Sequence, residues 1–124
     1  MTEDLKTVLA KIDGAQLIQF ADVPLDGPNV RSPIFGETPL HIVAVWGDVD
    51  AARVLLDAGA EVDVAGEEDC TPLHEAIIQG HVETARLLLS HGASPTIKCR
   101  FGDAYELAAM SKNDKMKALF ERGV

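Results

Sequence analysis

The chain has 124 residues, which suits one domain, and 47% of them are hydrophobic while only 5% are aromatic. The core must therefore come mainly from Leu, Val, Ile and Ala, and a net charge of −9 opposes a nucleic-acid backbone as the main partner. No apolar run approaches the ~20 residues of a membrane span, and no apolar signal core follows Met1-Thr2-Glu3-Asp4, so a cytoplasmic protein is expected.

Residues 1–35 begin with Leu5, Val8, Leu9 and Ile12 at helical spacing. Gly14 breaks the pattern, and Ala15, Leu17, Ile18 and Phe20 resume it, which predicts two short helices. The following stretch, Val23-Pro24-Leu25-Asp26-Gly27-Pro28-Asn29 with Pro33 beyond it, cannot be helical throughout and predicts a long loop.

Next comes a sentence that is written twice. Gly36-Glu37-Thr38-Pro39-Leu40-His41, then Gly47, Leu55-Leu56 and Ala58-Gly59-Ala60, recurs 33 residues later. The second copy reads Asp69-Cys70-Thr71-Pro72-Leu73-His74, then Gly80, Leu88-Leu89 and His91-Gly92-Ala93. Gly14 stands 33 residues before Gly47, in the same register. In each copy the Thr hydroxyl can cap a helix, and Pro suits the first helical position, where its missing amide is not needed. Leu40, Val43 and Ala44 form an apolar stripe that Gly47 ends; Val49, Ala52, Leu55 and Leu56 form a second that Gly59 ends. Leu73, Ala76 and Ile77, then Val82, Ala85, Leu88 and Leu89, repeat the pattern. Self-similarity at this period marks stacked units that cannot bury their apolar faces alone.

The last segment is a worn third copy. Asp103 replaces the capping Thr, and Glu106 three residues on completes a capping box. Lys112-Asn113 makes the turn, with Asn113 expected in the left-handed conformation that glycine takes elsewhere. Leu119-Phe120 follows, and Gly123 stands near the helix stop. Lys112, Lys115, Lys117 and Arg122 would turn a polar face to water, as a terminal unit requires.

The T-P-L-H words and Gly-Ala endings closely resemble the ankyrin repeat, well over residues 36–124 and weakly over 1–35. The resemblance implies an all-α solenoid of helix–turn–helix units with extended loops. Its parts would be a degenerate N-terminal cap and loop over 1–35, repeats over 36–65 and 66–98, and a C-terminal capping repeat over 99–124. It also implies protein binding through the loop tips and the concave face of the first helices. Mapped onto this chain, that face takes Ile34, Phe35, Glu37, Val45 and Trp46 from the first repeat. Glu67, Glu68, Cys70, Ile78 and Gln79 come from the second, and Arg100, Phe101, Met110 and Ser111 from the third. Val45, Ile78 and Met110 also read as residual core. Trp46 lies off its helix's core stripe and is the expected aromatic anchor, unless residues 1–35 fold over it.

Candidates for chemistry dissolve into structure. The resemblance makes His41 and His74 structural groups that bond backbone between adjacent loops. His81 falls at a helix–helix turn, and His91 precedes a helix-stop glycine, where it meets the negative end of the dipole. Cys70 and Cys99 would sit on neighbouring repeats about 10 Å apart, too far for a disulfide, and they lack the ligand spacing of a zinc site. The acidic run of Asp63, Glu67, Glu68 and Asp69 lacks the calcium-loop spacing and reads as a solvated tip. No catalytic constellation or phosphate loop is present. Charge is uneven: residues 34–66 carry −5 and 67–99 carry −3, against +1 for 100–124, which suits a basic partner. The expectation is a monomeric, non-catalytic protein-binding module without metal or cofactor. One version is a stand-alone inhibitor, similar to the ankyrin-like immunity proteins that bacteria make against their own toxins; another is a scaffold or regulatory subunit.

Overall fold

Thr, Pro and left-handed Gly set the boundaries of the repeated helices. The computed structural model describes residues 4–121; Arg122 and Gly123, with the polar-face and helix-stop roles expected of them, lie outside the described residues. In chain order the helices are α1 (Leu5–Gly14), α2 (Pro39–Trp46), α3 (Val49–Asp57), α4 (Pro72–Gln79), α5 (Val82–Ser90), α6 (Ala104–Met110) and α7 (Asp114–Leu119). Single 3₁₀ turns occupy Ile18–Phe20 and Glu67–Asp69, and the described residues form no strand. Thr38 and Thr71 are extended N-caps, each followed by Pro at the first helical position. Gly47 (φ 73°) and Gly80 (φ 80°) close α2 and α4 in the left-handed conformation that permits the tight reversal into α3 and α5. Asp48 caps α3, accepting from the Ala51 N–H at 3.1 Å and from Lys11 Nζ at 3.0 Å.

The helices stack in two rows. α2, α4 and α6 form one, and α1, α3, α5 and α7 form the other. Between them lies an aliphatic core in which Val8, Leu40, Val43, Ala44, Ala51, Ala52, Leu55, Ala76, Ala85, Leu88 and Met116 are fully buried. The small alanines on facing helices allow close approach of the rows, which is why so few aromatics suffice. Leu55 and Leu88 lie between layers as expected, whereas Leu56 and Leu89 are only half-buried at its margin. Leu87, which lies outside the expected stripe, is buried.

The ends depart from expectation in three ways. First, α1 packs in the α3 row, so the 33-residue register of Gly14 with Gly47 does not make α1 an inner helix. Gly14 is the last residue of α1, and Gln16 takes the left-handed turn (φ 51°). Second, the helix expected after Gly14 shrinks to the Ile18–Phe20 turn, of which Phe20 enters the core and Ile18 stays exposed. Third, Asn113 has φ −93° and is the N-cap of α7, accepting from the N–H groups of Lys115 and Met116. Asp103 and Glu106 form the expected capping box on α6. Phe120 ends the core against Tyr105, ring edge to ring face at 6.1 Å.

Candidate functional site

The loop tips are held by the histidines and by short polar side chains that bond across repeats. His41 Nδ1 accepts from the Thr38 N–H at 3.0 Å, which leaves Nε2–H to donate to the Cys70 carbonyl at 3.0 Å in the next loop. His74 repeats the arrangement with the Thr71 N–H at 2.9 Å and the Ile97 carbonyl at 3.0 Å. Both rings are therefore neutral Nε2–H tautomers, and burial pushes the pKa of His41 down to about 4. Burial lowers that of His74 as well. His81 donates from Nε2 to the Val45 carbonyl at 2.9 Å and so ties α5 to the last turn of α2. Asn29 brackets the loop of the first full repeat, donating to the Gly59 carbonyl and accepting from the Glu61 N–H. Asp63 accepts from the Ser94 N–H at 3.1 Å, so this member of the acidic run is a staple between loops.

Residues assigned to the binding face fall into three groups. Ile78 and Gln79 of α4 meet Met110 of α6 and the adjoining Ser111 along an open groove of about 680 Å³ that Ile77, Leu107 and Lys112 also line. At the tips, Glu68 accepts from Arg100 Nη1 at 2.9 Å, and the Arg100 N–H donates to the Glu68 carbonyl. Glu68 and Asp69 both take left-handed backbone (φ 59° and 62°), which is uncommon for side chains of this size. Ile34, Phe35 and Phe101 are exposed at the tips, Trp46 is 39% exposed, and Val45 beside it is half-buried. The segment before α2 thus leaves a substantial part of the indole open.

Two assigned residues are not surface groups. Cys70 is 1% exposed and Glu37 is 7% exposed, so neither side chain lines the face as expected. Both sit immediately before or beside a capping Thr, where the next loop closes over the chain. Cys70 and Cys99 are buried free thiols, and Cys99 acts on Cys70 from the next loop. Burial, followed by the neighbouring Cys99, raises the Cys70 pKa well above the usual thiol range and keeps it protonated.

Glu75 escaped the sequence reading. It is half-buried in the first turn of α4, and burial, followed by repulsion from Glu67 and Glu37, raises its pKa. A signal was available: the residue after T-P-L-H is Ile42 in the first copy and the matching position is Leu107 in the third, so an acid stands in an apolar column. Among the described residues no group of three His, Cys, Asp or Glu is arranged to hold a metal ion, and no helix is long and apolar enough to cross a membrane.

A family model of ankyrin repeats in three copies matches residues 9–99, and the chain belongs to that family. Proteins of the family are generally protein–protein interaction modules. A comparison with curated proteins returned no match.

Proposed function

We propose that this ankyrin-repeat chain is a non-catalytic, monomeric module of the cytoplasm that binds one partner protein through its concave face and loop tips. The observation that carries the reading is where the large exposed apolar side chains lie. Six of the seven among the described residues (Ile34, Phe35, Trp46, Ile78, Phe101 and Met110) belong to the face assigned by repeat position, leaving only Ile18 elsewhere. Large apolar groups kept at the surface of a protein with few aromatics favour a docking role over core packing. Trp46 is its anchor, since an indole buries much area with few rotatable bonds. Exposed acids at Glu67 and Glu68 favour a basic partner and salt-sensitive association.

A small inhibitor of the immunity type is the sharper version, supported by the acidity of the chain. A scaffold or regulatory subunit is the alternative, and a toxin gene beside this one would favour the inhibitor. The test is affinity capture from native lysate with immobilised chain, with Trp46→Ala in parallel. A partner retained by the parent chain and lost by the folded variant supports the reading. Retention with equal affinity by both removes Trp46 from the site, and capture of nothing by either refutes the module.

A further inference from the structure

Glu37 violates the rule that a buried polar atom finds a partner. The residue is 7% exposed, and its Oε2 has no hydrogen-bond partner. Thr84 Oγ1, the other such atom among the described residues, is a neutral hydroxyl, for which the desolvation penalty is far smaller. Burial, helped by Glu67, raises the pKa of Glu37, although its own backbone N–H and Ser32 act to lower it.

Glu67 and Glu75 add like charge around Glu37. Gly66 lies close over it, where a Cβ would stand 3.0 Å from His41 Nε2 and 3.2 Å from Glu37 Cγ, and Glu67 follows it in the chain. Glu75 closes the group from the first turn of α4, and the three carboxylates repel one another. The nearby cations hold other partners, although the Arg31 guanidinium keeps its charge beside the site. Arg31 donates to the Gly36 and Ala65 carbonyls, Arg100 binds Glu68, and His41 is neutral.

We propose that Glu37, Glu67 and Glu75 form a receptor for one arginine side chain of the partner. Glu67 and Glu75 grasp the guanidinium at the surface, and Glu37 supplies negative potential from beneath. The inference rests on the protein-binding reading above and gives it a specific chemistry. The carboxylates are not arranged for a compact metal ion, whereas a planar guanidinium with five donors can span separated acids.

The test titrates the full chain with N-acetyl-arginine methylamide, reading the glutamate carboxyl ¹³C shifts. Citrulline and lysine analogues and calcium chloride serve as comparison probes. The arginine probe should move Glu37, Glu67 and Glu75, and neutral citrulline should not. Glu75→Gln should weaken the arginine probe about tenfold, the scale of a lost charge-assisted bond. Glu83→Gln, on exposed α5 surface, should leave it unchanged. Glu37→Gln should raise the melting temperature while weakening the probe, opposite signs that a purely structural residue would not give. Citrulline, lysine or calcium matching arginine would overturn the receptor, as would full binding by Glu75→Gln or Glu37→Gln. A captured partner indifferent to both substitutions removes the receptor but leaves the module; probe binding with no capturable partner does the reverse.

Discussion

Acidification should loosen the stack through His41. In the folded chain its Nδ1 accepts from a backbone N–H and the residue is 2% exposed, so a second ring proton would meet a donor instead of an acceptor. Its pKa falls from 6.5 to about 4 on folding. The unfolded chain therefore binds the proton more readily, and the stability this group supplies is complete above pH 6.5 and lost as pH falls toward 4. At 1.36 kcal/mol per unit, the full loss is about 3 kcal/mol, a large share of the roughly 5–15 kcal/mol of a typical domain. His74 acts in the same direction, its pKa also being lowered. Glu37 and Glu75 act oppositely: their pKa values are raised, so what they contribute is present at low pH and lost as pH rises through their folded values. Urea unfolding from pH 7.5 to 4, for the parent chain and His41→Gln, isolates the histidine because both proteins share the glutamates. The variant should start less stable and lose about 3 kcal/mol less on acidification, so the two curves converge. Parallel curves, or a His41 ring signal titrating near 6.5 in the folded protein, would refute the argument.

Leu55→Ala and Leu88→Ala should each lose about 2–5 kcal/mol in thermal or urea unfolding, with smaller losses at half-buried Leu56 and Leu89; equal losses at all four would undo the layer assignment. Gly80→Ala pays only for its left-handed backbone, about 1–2 kcal/mol, since a Cβ there meets open space. Gly47→Ala should melt markedly lower, because its Cβ would stand 2.5 Å from His81 Nδ1 and displace the ring from the Val45 carbonyl; similar melts for the two variants would contradict this. Iodide and acrylamide should quench Trp46 fluorescence readily in the free protein and poorly in a complex, and a shielded indole in the free state would end its candidacy as anchor.

The repeated helices were legible because each boundary is a local event: a capping Thr, a Pro that needs no amide, a Gly that reverses the chain. The same locality misled at the N-terminus. Gly14 kept the repeat's arithmetic, but α1 has no T-P-L-H word and found its place by packing against α3. Asn113 looked like a glycine substitute by position, yet its side chain caps α7 more profitably than a left-handed backbone would. At the candidate face, repeat position located the exposed apolar groups and failed at Glu37 and Cys70. Their burial depends on the loop of the following layer, Gly66 over Glu37 and Cys99 against Cys70. That information lies some 30 residues away and carries no periodic mark.

The histidine links also give the solenoid a direction. Each ring of the T-P-L-H word spends one nitrogen within its own layer and offers the other to the layer that follows. In α6 the corresponding residue is Glu106, whose carboxylate folds back onto the Asp103 N–H at 3.2 Å while Asp103 accepts from the Glu106 N–H at 2.9 Å. That exchange satisfies both partners and extends no donor beyond the final layer. Units that stack head to tail can go on adding layers; here one residue exchange withholds the link by which each histidine engages the layer after it.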